Sequence, residues 1–429
     1  MLERLFKLRE HGTTVRTEII AGMTTFLTMA YIIFVNPSLL AQTGMDQGAV
    51  FVATCVAAAI GCFIMGIYAN YPIAQAPGMG LNAFFTFSVV NGMGYTWEVA
   101  LAAVFCSGVL FILLSLFRIR EWIINSIPMS LRTGIAAGIG LFLAFIALQS
   151  AGIIVGNPGT LIGLGDMTSQ KCFFAAIGFV LTVALVHRNV KGAVMISILA
   201  VTLLGILFGD VQWHGVMDMP PSVAPTFMQL DFSGVFQVGM ISVVFAFLFV
   251  DLFDTAGTLV GVASKAGLIK EDGKLPRLNR ALLADSTATS IGALLGTSNT
   301  TSYVESTSGV AAGGRTGLTA VVVGIFFLLA LFFSPLAGMI PAYATSGALL
   351  YVAVLMLSGL AHIDWNDITE SAPAAITCIM MPLTYSIAEG ISFGFIAYAV
   401  IKLLSGKRHD VSASVWLMAV IFTIKFIAG

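Results

Sequence analysis

Four carboxylates, Asp251, Asp254, Asp285 and Glu305, fall deep inside segments of chain expected to span a membrane. In such a setting a carboxylate accepts hydrogen bonds from N–H donors, binds a cation or holds a proton. Asp251 and Asp254 are three residues apart, which puts them on one face of a helix. Glu305 lies in a polar run, Gly296-Thr-Ser-Asn-Thr-Thr-Ser-Tyr-Val-Glu-Ser-Thr-Ser-Gly309, and a second interruption reads Gln75-Ala-Pro-Gly-Met-Gly-Leu-Asn82. An ionised acid at the middle of a bilayer costs a few kcal/mol on insertion scales. Four acids with no lysine or arginine at their depth therefore mark a functional site. The chemistry open to them is polar recognition and proton carriage. His11, His187, His214, His362 and His409 all fall in loops or at span ends, which excludes a nucleophile–base pair within the membrane. Cys55, Cys62, Cys106, Cys172 and Cys378 are scattered singly, so neither a metal site nor a disulfide is expected. No Walker loop, H-E-x-x-H or G-x-S-x-G occurs. The run Gly78-x-Gly80-x-x-Ala83 imitates a dinucleotide fingerprint but lacks its βαβ setting. The chain is expected to be no enzyme and to carry no cofactor.

The elements that must position these acids follow from composition. Of 429 residues, 58% are hydrophobic and 10% charged, against roughly 25% charged in soluble domains, and the mean hydropathy is +0.98. Too little polar surface remains to solvate soluble domains. The net charge of −1 and the lack of a basic stripe argue against a nucleic-acid partner. The chain reads as an all-α polytopic membrane protein. A spanning helix takes about 20 apolar residues, which places segments near 19–40, 48–70, 72–91, 96–117, 133–155, 172–187, 192–209, 235–260, 280–296, 298–313, 317–340, 344–361, 371–387 and 388–405. A further apolar stretch, 413–428, either crosses or lies in the interface, and the interfacial placement is favoured. With fourteen crossings and a cytoplasmic N-terminus, every basic residue except Lys171 and Lys425 falls on the cytoplasmic side, a positive-inside pattern. No cleavable leader is read at the N-terminus.

Segments 3 and 10 break the rules of lipid-facing helices. Pro77 with Gly78 and Gly80 disfavours helix in segment 3, so it should run extended before a short helix near Asn82. Segment 10 should be extended and then helical after about Val304. Non-helical backbone at membrane depth persists only inside protein or along a cavity. Asn82 and Glu305 lie about half a chain apart, as do Thr25/Thr28 in segment 1 and Asp251/Asp254 in segment 8. The spacing implies two repeats of seven segments, and seven being odd, the second enters from the opposite side. Paired discontinuous helices in inverted repeats are the pattern of secondary transporters.

These residues carry a family resemblance. Gly80-Leu-Asn-Ala-Phe84, Val250-Asp-Leu-Phe-Asp-Thr-Ala-Gly-Thr258 and Tyr303-Val-Glu-Ser306 resemble the AzgA-like purine permeases of the nucleobase–ascorbate transporter superfamily. Lys7-Leu-Arg-Glu-His-Gly-Thr-Thr14, Thr24-Thr-Phe-Leu-Thr-Met-Ala-Tyr31 and Ala312-Gly-Gly-Arg-Thr-Gly-Leu318 are similar to the same branch. The resemblance implies fourteen transmembrane segments as seven-plus-seven inverted repeats. It implies a core from 1–130 (segments 1–4) and 235–341 (segments 8–11). A gate would come from 131–234 (segments 5–7) and 342–429 (segments 12–14 with the C-terminal stretch) and would mediate a homodimer. It implies proton-driven uptake of adenine, guanine or hypoxanthine across a bacterial cytoplasmic membrane by alternating access. Asp251, Glu305 and Asn82 match the family's binding positions, Thr28 joins them, and Asp254 and Asp285 match acids expected to couple protons. The Val-Asp-x-x-Asp pattern of segment 8 is nearer to hypoxanthine/guanine members. The residue chemistry agrees: a purine is flat and rich in N–H donors, which a carboxylate accepts side by side and an asparagine both donates to and accepts from. A sodium-coupled carrier and an anion transporter of the same fold are the alternatives, the second disfavoured by Asp251 and Glu305.

Overall fold

The computed structural model describes residues 2–117, 127–235, 237–268 and 275–428. Arg118, Arg120, Lys270 and Lys274, which enter the charge argument, lie outside the described residues. Nine described helices are long and apolar enough to cross a membrane, and Ala193–Leu207, Ile368–Leu383 and Ala413–Ile427 are shorter apolar helices.

The first expected segment is two helices. In α1 (Val15–Met29), Thr14 caps the start by accepting from the Thr17 N–H at 3.2 Å, and the helix ends before Ala30–Tyr31, where α2 (Ile32–Leu40) takes over. Asp46 caps α3 (Gln47–Ile64), accepting from the Ala49 N–H at 2.7 Å. Segment 3 is extended as expected, as β1 (Gln75–Pro77), and its helix α4 (Met79–Ala83) begins three residues before Asn82 and continues in wide π-type turns through Phe84–Gly92. Then follow α5 (Trp97–Leu116), α6 (Met129–Ser150), a hairpin β2 (Ile154–Asn157) and β3 (Leu161–Leu164), α7 (Gln170–His187) and α8 (Ala193–Leu207). The second half runs α9 (Val238–Lys265), α10 (Leu278–Leu295), β4 (Thr300–Ser302), α11 (Ser306–Ala311) and α12 (Gly317–Ala330). The chain closes with α13 (Ala342–Leu357), α14 (Ile368–Leu383), α15 (Ile387–Leu404) and α16 (Ala413–Ala428).

Packing sorts these elements into two groups. One gathers α1, α3, α5, α9, α10 and α12, with β1 on α3 and α11 on α1. In the other, α6 packs on α13 and α14, α7 on α8 and α13, and α15 on α14. The groups meet where α4 touches α6 and α9 touches α15. Two polar fastenings lie away from the acids of the sequence argument. Glu18, fully buried, stands one residue before the expected first segment. It accepts from the Arg315, Thr316 and Thr319 N–H groups at 2.9, 3.3 and 3.2 Å and from Thr319 Oγ1 at 2.6 Å. It thus satisfies donors at the start of α12 that no helix can satisfy internally. In the second group Lys402, 2% exposed, meets Glu370 Oε1 at 2.5 Å, and Tyr398 and Ser130 donate to the same carboxylate.

The C-terminal stretch forms the helix α16. It runs antiparallel beside α15: Phe422 packs on Phe395, Phe426 on Phe393, and Lys425 meets Glu389 at 2.5 Å. Those contacts join the second half of α16 to the first half of α15.

Candidate functional site

The two interruptions come together. β1 and β4 pair antiparallel, with Gln75 opposite Ser302, Ala76 opposite Thr301 and Pro77 opposite Thr300. The pairing extends by the Gly78 N–H to the Asn299 carbonyl at 2.9 Å and the Tyr303 N–H to the Ala74 carbonyl at 3.0 Å. Pro77 lacks a donor, which an isolated two-strand ladder tolerates. Gly78 is required by contact, because a Cβ there would lie 2.3 Å from Thr301 Cγ2. From this crossed pair the helices α4 and α11 leave in opposite chain directions, as inverted repeats demand.

Behind the strands is a buried polar layer. Asp285 Oδ1 accepts from Gln75 Nε2 at 3.1 Å, Thr255 Oγ1 at 2.9 Å and Ser302 Oγ at 3.3 Å. Asp251, 1% exposed, accepts from Thr255 Oγ1 at 3.4 Å, Thr289 Oγ1 at 3.3 Å and Asn299 Nδ2 at 3.3 Å. Asn82, fully buried, accepts from Ser298 Oγ, and Asn36 donates to Thr54 at 2.7 Å and Thr297 at 2.9 Å. The layer ties α9, α10 and α4 to the strands, and buried polar groups that are mutually bonded hold such a crossing in one geometry.

On the other side of the strands two acids are only half-buried. Asp254 takes a bond from Thr301 Oγ1 at 3.3 Å. Glu305 stands at the start of α11 and accepts from Tyr31 OH at 2.6 Å. Asp254 lies within Coulombic reach of Glu305, and Tyr303 within reach of both. Tyr351, from α13 in the other packing group, also feels the Glu305 charge. Tyr303 OH donates to the Pro77 carbonyl at 2.5 Å, and Thr28 Oγ1 bonds Ser308 Oγ at 2.9 Å beside Glu305.

The structure therefore divides the expected site residues differently from the sequence. The expected binding pair was Asp251 with Glu305, and the expected coupling acids were Asp254 and Asp285. Glu305 and Asp254 stand together at the strand crossing with Thr28 nearby, while Asp251, Asp285 and Asn82 lie in the polar layer. Three tyrosines, 31, 303 and 351, escaped the sequence reading. Tyr303 and Tyr31 lie inside the quoted motifs, but nothing in spacing reveals that the Tyr31 phenol meets a carboxylate or the Tyr303 phenol a backbone carbonyl. Among the described residues no group of three His, Cys, Asp or Glu is arranged to hold a metal ion.

Apolar spanning helices, interrupted by two strand-plus-short-helix segments that cross at a pair of acids, make this a membrane permease by architecture. The chain belongs to the family matched by the model Xan_ur_permease, described as a permease family, over residues 16–393. It is 53% identical over 427 residues to the adenine permease AdeP of Escherichia coli (strain K12), covering 100% of this chain and 96% of that one. It is 50% identical over 438 residues to the guanine/hypoxanthine permease PbuG of Bacillus subtilis (strain 168), covering 99% of each. These matches place it in the nucleobase–ascorbate transporter superfamily, among transporters and not enzymes. The transmembrane domain of the cyanobacterial bicarbonate transporter BicA superposes with a TM-score of 0.68 at 16% identity, over 87% of this chain and 96% of that one. That likeness establishes the inverted-repeat transporter fold.

Proposed function

We propose that the chain is a proton-coupled purine nucleobase importer of a bacterial cytoplasmic membrane, with its N-terminus in the cytoplasm. The observation that carries this reading is the placing of two half-buried acids, Asp254 bonded to Thr301 and Glu305 bonded to Tyr31, at the end of β4 where it crosses β1, with Tyr303 between Thr301 and Glu305 in the chain. Two carboxylates offer a neutral purine acceptor oxygens for ring and exocyclic N–H groups, and the phenols supply flat apolar faces with polar tips. An anion would meet repulsion there. Two negative charges at one site repel, so one proton arriving from outside lowers the energy of the two acids and loads them for transport. Moving one charge through 100 mV is worth about 2.3 kcal/mol, enough for roughly 50-fold accumulation. In this reading Asp251, Asp285 and Asn82 position the strands instead of touching the base. The first packing group is the core that carries the site, and the second is the gate it moves against, the same gate pairing two copies into a dimer. AdeP and PbuG, named for different purines, match at 53% and 50%, so the lean of segment 8 towards hypoxanthine and guanine is put to a competition panel.

The test is uptake and binding of radiolabelled adenine and hypoxanthine in proteoliposomes. Glu305→Gln and Asp254→Asn should lose high-affinity purine binding while remaining folded, and a protonophore should collapse accumulation. Accumulation that survives the protonophore but disappears when sodium is replaced would move the coupling ion to Na⁺, which a carboxylate pair also fits. Unchanged purine affinity in Glu305→Gln would remove the site from this location.

A further inference from the structure

A cleft of about 470 Å³ opens at the end of the bundle opposite the basic loops, lined by Gln42, Phe87, Asn91, Gln149 and Tyr385 with the neighbouring backbone. Its volume falls within the range of about 300–1,000 Å³ usual for small-molecule sites. Its walls come from both packing groups: Gln42 follows α2, Phe87 and Asn91 lie in the π-turns after α4, Gln149 ends α6, and Tyr385 sits between α14 and α15.

Tyr385 is held unusually firmly for a loop residue. Its ring meets Phe87, Phe142 and Phe145 at near right angles, with centroids 6.2, 5.7 and 5.9 Å away. Its hydroxyl donates to Gln149 Oε1 at 2.9 Å and its carbonyl accepts from Ser88 Oγ at 2.8 Å. Its φ of 55° is a left-handed value that bulky residues adopt only when their surroundings insist. Around this fixed ring stand three exposed side-chain amides, Gln42, Asn91 and Gln149. With its oxygen committed to Tyr385, Gln149 has N–H groups left to offer, and the other amides carry both donors and acceptors. A rigid aromatic surface edged by neutral donors and acceptors, with no charge among the lining side chains, suits a flat, uncharged heterocycle carrying polar atoms on its rim.

We propose that this cleft is a second purine-binding site, filled from outside before the base reaches Asp254 and Glu305. The inference rests on the purine reading above and extends it. In this site the base stacks on Tyr385 and its edge is read by Gln42, Asn91 and Gln149.

Two measurements test it. Glu305→Gln, which empties the inner site, should retain weak saturable binding of radiolabelled adenine or hypoxanthine by the purified full chain, and adding Tyr385→Ala should abolish that remainder. In oriented proteoliposomes, Gln149→Ala and Tyr385→Ala should raise the influx KM about tenfold, the scale of losing one stacking or edge partner, and leave the KM for efflux unchanged. Gln149→Ala, on an exposed side chain, keeps the test open should Tyr385→Ala fail to fold. Purine binding in the wild type that Glu305→Gln removes entirely, or KM values that move equally in both directions, would overturn the cleft as a site and leave the purine reading standing. A wild-type chain that binds no purine would overturn both.

Discussion

Gly80 is a point where the proposed core lies hard against the proposed gate. A Cβ built on it would lie 2.5 Å from Ile139 Cγ2 on α6, against the 3.5–4.0 Å at which carbon atoms attract. Gly80→Ala would therefore require α4 and α6 to part by about 1 Å. Forcing a methyl into a packed contact costs about 1–3 kcal/mol. The gain in helix propensity, about 1 kcal/mol, offsets part of this in every conformation, whereas the clash belongs only to conformations in which these two helices meet. A penalty of about 1.4 kcal/mol on one state changes its population tenfold. Gly80→Ala should accordingly lower initial purine uptake roughly tenfold while leaving the melting temperature of the purified protein near wild type. Ile139→Leu removes the β-branch methyl at nearly constant volume, which costs under about 1.5 kcal/mol, and should restore transport in the double variant. The assay is radiolabelled purine uptake in cells lacking their own permeases, with expression and thermal unfolding measured alongside. Wild-type transport by Gly80→Ala, or a defect that Ile139→Leu leaves untouched, would show that the helices do not need to pass at this contact.

Glu18→Ala strips the start of α12 of its acceptor and should lower stability by about 1–3 kcal/mol for each donor left buried and unbonded, read as a large fall in melting temperature, with Glu18→Gln milder. Lys402→Met leaves the Glu370 charge without its cation and should cost about 3–5 kcal/mol, while the double change with Glu370→Gln should regain much of it; thermal unfolding of the set decides. Tyr31→Phe removes the 2.6 Å bond to Glu305 and should weaken purine binding by about 1.5–3 kcal/mol, the usual worth of a bond to a charged group, with little change in folding. Outside the membrane, Lys407 and Thr369 bond the Asp367 carboxylate and hold it well below the ordinary carboxylate range. Because its folded value is depressed, the stability it lends to α14 is present above the unfolded value of about 3.9 and fades as pH falls through the lower folded one. Asp367→Ala should therefore lower the melting temperature at pH 7 but lose that effect at strongly acid pH, whereas Asp367→Asn keeps the cap.

Much of the fold was legible because bilayers impose a narrow grammar. Apolar runs of spanning length gave the helices, and Pro77 with its flanking glycines and the polar run through Ser298 and Thr301 gave both discontinuities within a few residues. What stayed hidden depended on contacts between distant parts of the chain. Glu18 was legible only as an acid at a span's edge, since its value lies in meeting the start of a helix nearly 300 residues later. Lys402 read as a loop-side cation because its partner Glu370 belongs to another helix. The break at Ala30–Tyr31, which brings the Tyr31 hydroxyl to Glu305, leaves no proline or glycine at the break itself to announce it. The different surroundings of Asp251 and Asp254 are the most instructive case. Residues three apart on a helix project about 60° apart, close enough for one amphipathic stripe yet far enough for opposite sides of a strand edge. Asp251 turns to Thr289 of α10 and Asn299, and Asp254 to Thr301 of β4 and towards Glu305. Both acids satisfy every rule that sequence spacing can apply. Only the position of the crossed strands against α9 decides which carboxylate is enclosed in the polar layer and which stays half-buried beyond it.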